Sequence, residues 1–263
     1  MDLGIRGCVA VVAAASKGLG RATAEALAAE GASLVLCARG REALDETARA
    51  IRETHDVSVT AVVADVATEV GVREVLDAAR RAHGHVDILV TNAGGPPAGP
   101  FEQHDDAAWD AALRTNLHSV VGLVRGVLPG MKARRWGRIV NVTSIAVKQP
   151  VDGLILSNAV RAAVTGFART LANEVAPFGI TVNNVMPGYT RTQRVDELAA
   201  RIALEKGIDV AQAFAGWESQ IPMGRLGTPG EFGAMVAFLC SVQASYTTGA
   251  SIPVDGGWIR ALV

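Results

Sequence analysis

The sequence predicts a doubly wound α/β fold, with one parallel sheet of about seven strands and helices on both faces. Short β-branched or apolar runs at residues 8–13, 33–37, 58–63, 87–90, 138–142, 181–185 and 251–254 read as strands. They are apolar throughout rather than alternating, which means burial on both faces. Amphipathic segments lie between them, at residues 18–30, 41–54, 70–83, 105–132 and 157–175. Strand–helix alternation of this kind gives parallel pairing with helices packed on each side.

Composition bounds the rest. The 263 residues suffice to bury a large core in one domain spanning residues 1–263. Lys and Arg number 25 against 26 Asp and Glu, so there is no basic excess of the kind a nucleic-acid partner requires. No stretch reaches membrane-spanning length, so no membrane partner is expected. The apolar run at residues 8–15 is too short for a secretory leader and runs into a glycine-rich turn. Cys8, Cys37 and Cys240 are odd in number and widely spaced, against a disulfide framework or zinc site. Cys8 and Cys37 sit in apolar runs and read as core residues, which suits a reducing cytoplasm. No His, Cys or carboxylate cluster has metal-ligand spacing, and no metal is expected.

In such a sheet, ligands bind outside the carboxyl ends of the strands. The loop after the first strand runs Ala13-Ala14-Ala15-Ser16-Lys17-Gly18-Leu19-Gly20. Glycines opening a helix there let the backbone approach a pyrophosphate, and the helix N-terminus favours its charge. The second strand ends Cys37-Ala38-Arg39, with Ala38 where a carboxylate would meet a ribose 2′-hydroxyl. Arg39 next to it, and Lys17 in the glycine-rich loop, suit a 2′-phosphate. The charge pattern therefore favours NADPH (or NADP+) over NADH.

These motifs resemble, in order and over essentially the whole chain, those of the short-chain dehydrogenase/reductase family and its Rossmann-type fold. The glycine-rich loop is similar to the family's T-G-x-x-x-G-x-G, with Ala13 and Ala14 replacing the first two residues. Thr91-Asn92-Ala93-Gly94 resembles the N-N-A-G loop, and Pro187-Gly188 with Thr190 and Thr192 resembles P-G-x-x-x-T. Tyr246–Gly249 and Val254–Gly257 match further family segments. The resemblance implies that Ala14, Ser16, Lys17, Gly18, Leu19, Gly20 and Arg39 line the phosphate and ribose. It assigns Asp65 and Val66 to the adenine, Asn92, Ala93 and Gly94 to the next stretch, and Pro187, Gly188, Thr190 and Thr192 to the nicotinamide carboxamide. Residues 191–223 would form the substrate lid, whose apolar content (Leu198, Ile202, Leu204, Ile208, Phe214, Trp217) suits either an apolar substrate or lid packing.

The resemblance also implies four catalytic positions. Asn116 and Ser144 match the Asn and Ser. The Tyr and the Lys four residues beyond it are replaced: alignment from Ala162 to Phe167 and the spacing from Ser144 put Ser157 and Arg161 there. An aliphatic hydroxyl is a far weaker acid than a phenol. Arginine stays charged, so it can hold a ribose hydroxyl or steady an oxyanion. Tyr189 and Lys148 are read as packing and surface residues, and His118 as facing another side of its helix.

Three functions are compatible with these residues. One is a carbonyl reductase most like the 3-oxoacyl-[acyl-carrier-protein] reductases, with an altered proton donor. Another is a reductase of an activated C=C bond. The third is a non-catalytic NADP-binding sensor or scaffold. The substrate would be a small molecule or acyl group. The family resemblance implies a homotetramer or homodimer, paired through the helices at 105–132 and 157–175 and through the C-terminal strand and the apolar residues 258–263.

Overall fold

A computed structural model describes residues 2–262. Its seven strands are β1 (Val9–Ala13), β2 (Ser33–Ala38), β3 (Val59–Val63), β4 (Ile88–Thr91), β5 (Gly137–Val142), β6 (Ile180–Pro187) and β7 (Ser251–Val254). All pair in parallel, in the order β3-β2-β1-β4-β5-β6-β7. The chain winds outward from β1 in one direction, then crosses back to β4 and winds outward in the other. That reversal opens a crevice at the carboxyl ends of β1 and β4.

The strands are buried on both faces because successive side chains enter two different cores. Ala10, Val12, Leu34, Leu36, Ile88 and Val140 pack on one side. That side is covered by α1 (Gly18–Ala29), α2 (Arg41–Thr54) and, later in the chain, α9 (Pro229–Cys240). Val11, Ala13, Val35, Leu89, Ile139 and Val182 pack on the other. There the cover is α3 (Glu69–His83), α5 (Ser119–Arg134) and α6 (Ile155–Val175). Cys37 and Cys240 are fully enclosed, and burial pushes both thiols up to about 12; Cys8 is only partly covered and rises to about 11. None is a reactive thiolate near neutral pH.

The segment at 105–132 is not one helix. It divides into α4 (Asp106–Leu113), a π turn (Arg114–His118) and α5. A wider turn of this kind turns one residue aside from the helix face, and such turns gather at functional sites. The residue here is Asn116.

A row of polar side chains crosses the sheet, buried at Thr91, Asn141 and Asn184 and half-buried at Ser251. Thr91 Oγ1 donates to Asn141 Oδ1 at 2.7 Å, Asn141 Nδ2 to Asn184 Oδ1 at 3.0 Å, and Asn184 Nδ2 to Ser251 Oγ at 3.0 Å. The strand register aligns these four residues one per strand across β4, β5, β6 and β7. Asn183 does similar work one residue earlier, donating to Thr247 O and accepting from Ala250 N. Polar groups at this depth cost free energy unless they are paired. Asn141→Ala would orphan both Thr91 Oγ1 and Asn184 Oδ1. Urea unfolding should show a loss of about 2–4 kcal/mol, the cost of two unsatisfied buried groups.

Candidate active site

The phosphate loop is shaped by close contacts. Ala15 N donates to Cys37 O at 3.0 Å, and Thr47 Oγ1 from α2 donates to Ser16 O at 2.9 Å. Gly20 packs so tightly that a Cβ there would lie 2.1 Å from Ala14 O, so only glycine fits. Lys17 caps α1 without a side-chain hydrogen bond, and the first turn holds no acid. The N–H groups there are left to an anion. Ala14, standing at the family's first glycine, has φ +51°, a left-handed conformation that disfavours any side chain.

A cleft of about 490 Å³ runs from this loop over the sheet edge. Ala14, Ser16, Arg39, Asp65, Val66, Asn92, Ala93 and Gly94 all line it, so the structure brings these residues together. Gly95, Pro96, Pro97, Ala111 and Thr115 line it too, and the motifs did not point to them. Asp65 Oδ1 accepts from Ala67 N at 3.0 Å, fixing the turn after β3. Arg39 is exposed at the rim. Lys17 differs from expectation: its Nζ donates to Gln193 Oε1 at 3.1 Å instead of turning toward Arg39. Gly18 and Leu19 open α1 beneath the segment that begins at Thr192, and a Cβ on Gly18 would touch Thr192 Cγ2 at 3.4 Å. Pro187 ends β6, Gly188 N donates to Val254 O at 3.0 Å, and buried Thr190 bonds back to Gly188 O at 3.4 Å. These four residues stand apart from the lining of the main cleft, on the side of the 191–223 segment.

At the carboxyl end of β5, Ser144 caps a short turn and its Oγ accepts from Ala146 N at 3.1 Å. Ser157 and Arg161 are one helical turn apart near the start of α6, and both are buried. Arg161 Nη1 donates to Val142 O at 2.9 Å and Thr143 O at 3.0 Å. This anchors the guanidinium on the strand end that leads into Ser144. Burial, with the nearby Arg194 charge adding repulsion, pushes it down to about 10, so it remains cationic at neutral pH. Asn116 Nδ2 donates to Ala112 O at 3.3 Å. Its Oδ1 is buried with no partner among the described residues. Asn116, Arg161, Asn92 and Thr143 line one small cavity of about 10 Å³, close to the size of a single water.

The other candidates are placed elsewhere. Tyr189 is stacked on Trp217, with ring centroids 5.1 Å apart, and meets Trp258 edge-on at 6.4 Å. Burial raises its phenol, making it a poorer acid. Lys148 is exposed. His118 lines a surface groove between α3 and α5 on the far side of the π turn from Asn116.

The 191–223 segment holds α7 (Gln193–Lys206) and α8 (Val210–Glu218). Leu198, Ile202, Ile208, Phe214 and Trp217 pack with one another and with Met186, so their apolar content serves the segment's own core; Leu204 points outward. What the apolar count overlooked is Arg194, in the first turn of α7. The only hint in the sequence was a second arginine so soon after Arg191, beside the P-G-x-x-x-T segment.

The family profile described as enoyl-(acyl carrier protein) reductase matches residues 13–259. The chain belongs to this family, among the short-chain dehydrogenases/reductases, which are oxidoreductases. It is 35% identical over 255 residues to the 3-oxoacyl-[acyl-carrier-protein] reductase FabG of Escherichia coli, covering 97% of this chain and 98% of that one. The L-sorbose reductase of Gluconobacter frateurii, solved with NADPH and L-sorbose, superposes at TM-score 0.96 with 37% identity over the full length of both chains. A single-residue variant of the actinorhodin polyketide ketoreductase, solved with NADPH, superposes at 0.92 with 33% identity, over 97% of this chain and 98% of that one.

Replacing Ala14 by glycine relieves the left-handed strain in the phosphate loop. The variant should be more stable by up to about 1 kcal/mol in thermal or urea unfolding.

Proposed function

We propose that the protein is an NADPH-dependent oxidoreductase that interconverts a carbonyl and an alcohol on a small-molecule or acyl-type substrate. The observation that carries this is Arg161, fixed on the β5 carbonyls beside Ser144 and across a water-sized cavity from Asn116. The relatives solved with NADPH support the choice of cofactor.

The residues fit a dinucleotide. The uncapped start of α1 at Gly18, Leu19 and Gly20 would take the pyrophosphate. Asp65 and Val66 would face the adenine, and Arg39 would fork onto a 2′-phosphate. Asn92, Ala93 and Gly94 would line the next stretch, and Pro187, Gly188, Thr190 and Thr192 the nicotinamide end. When bound, NADPH supplies a hydride.

The chain's own residues do the rest. Ser144 holds the carbonyl oxygen by a hydrogen bond. Arg161 stabilises the negative charge that develops there, from a position fixed before reaction begins. Ser157 hydrogen-bonds the same oxygen and passes a proton without being its source. A water in the cavity lined by Asn116 and Arg161 would deliver that proton and regain one from solvent. Residues 191–223 close over the substrate as a lid within a single domain. The protein would act in the cytoplasm as a homodimer or homotetramer. Phe238, Val242 and Tyr246 offer exposed apolar surface for pairing, whereas Trp258 is turned inward onto Tyr189 and is not available. Val263 lies outside the described residues.

Reduction of an activated C=C bond is a second reading, favoured by the profile's description and by the missing phenol. There Arg161 would steady an enolate oxygen and solvent would protonate carbon.

NADPH oxidation over a panel of ketones and enones separates these readings. Ketone turnover is expected, with NADPH preferred over NADH by about tenfold or more, and Arg39→Asp should reverse that preference. Enone turnover alone would establish the second reading. Tight NADPH binding with no turnover would mean a sensor or scaffold.

A further inference from the structure

We propose that Arg194 is a cofactor clamp: a cation carried by the lid that crosses the dinucleotide cleft and binds the pyrophosphate from the side opposite the start of α1. This rests on the cofactor reading above and assigns a further residue to that site.

Three successive residues at the entry to α7 each meet an element of the cofactor site. Thr192 Cγ2 sits over Gly18, where α1 begins. Gln193 Oε1 accepts from Lys17 Nζ, in the phosphate loop, at 3.1 Å. Arg194 reaches the other wall: a methyl group on Gly95 would lie 3.0 Å from its Nη2 and 3.2 Å from its Nη1. Gly95 directly follows the Asn92-Ala93-Gly94 loop and lines the main cleft with it. The segment thus starts on the α1 side, and its guanidinium ends on the β4 side. A dinucleotide whose pyrophosphate rests on the start of α1 passes through the gap that this side chain crosses.

Charge supplies the reason. The start of a helix carries about half a positive charge, less than a pyrophosphate needs. The cations beside it are engaged, Lys17 with Gln193 and Arg21 with Glu25 at 2.8 Å. Among the described residues lining the cleft, only Arg39 and Asp65 are charged, and they follow β2 and β3 at the adenosine end. Arg194 is exposed and enters no ion pair or hydrogen bond among the described residues. The acids near it in α7 are taken, Asp196 by Arg191 and Glu197 by Gln193. Its donors are left for a ligand, and a guanidinium presents paired N–H groups that suit phosphate oxygens.

The test compares three ligands. Dissociation constants of NADPH and NADH are read from nucleotide fluorescence. That of adenosine 2′-phosphate, which lacks the pyrophosphate, is read from its displacement of NADPH. Arg194→Gln should weaken NADPH and NADH alike, by about tenfold or more, as expected for a lost charged hydrogen-bonded contact. Adenosine 2′-phosphate should stay within about twofold. Arg194→Lys should restore part of the loss, since an ammonium still meets phosphate as a point charge. Dinucleotide affinities unchanged in Arg194→Gln would overturn the clamp. A matching loss for adenosine 2′-phosphate would overturn it too, because the effect would not be confined to the pyrophosphate. Failure of the unaltered protein to bind either dinucleotide would overturn the cofactor reading beneath it.

Discussion

The polar row of Thr91, Asn141, Asn184 and Ser251 holds the half of the sheet that carries the chemistry. Three of its strands run on within a few residues into a loop of the site. Thr91 precedes Asn92-Ala93-Gly94, Asn141 precedes Ser144, and Asn184 precedes Pro187-Gly188. Apolar strands buried on both faces have little to stop them slipping, because a shifted register still buries hydrophobic side chains. A slip of one residue here would strand several buried polar groups instead. The row converts a generic sheet into one with fixed strand ends. Arg161 is held on one of those ends, by the carbonyls of Val142 and Thr143.

The site built on that frame has Ser157 and Arg161 where the family resemblance implies a phenol and a lysine. An arginine at residue 161 offers a planar guanidinium, not the compact ammonium of a lysine. One of its nitrogens, Nη1, donates to both the last carbonyl of β5 and the next one along. A charge anchored by backbone has little freedom to follow a substrate, but it needs no reorganisation when an oxyanion forms. Its burial would be costly if it stood alone. The two carbonyl bonds offset part of that cost. The orphaned Asn116 Oδ1 is the complementary half, a buried acceptor opposite a buried donor.

Most of the fold was legible because continuous apolar runs and 3.6-residue periodicities have one efficient arrangement. Strand limits moved by a residue or two where capping and register decided them. The break at Arg114–His118 was not legible, because no Pro or Gly marks it. Motif spacing found the main cleft, from Ser16 and Arg39 through Asp65 to Gly94. It did not foresee that Lys17 would bond to Gln193, since both residues are polar and exposed and lie 176 positions apart. It also passed over Arg194, whose approach to Gly95 depends on a lid conformation that no local pattern encodes. Trp258 looked like assembly surface by hydropathy alone, yet the Tyr189–Trp217 stack draws it inward.

Hydride transfer without a phenolic acid at residue 157 is the claim on which the proposed chemistry stands. Single-turnover oxidation of bound NADPH by a reactive carbonyl, compared between the unaltered protein and Ser157→Ala, tests it most directly. Unchanged NADPH affinity is expected, with a rate lower by about tenfold or less, the loss of one relay contact. Removal of a true general acid costs about 10²–10⁴-fold. A loss of that size with NADPH affinity intact would contradict the claim and make Ser157 the proton donor.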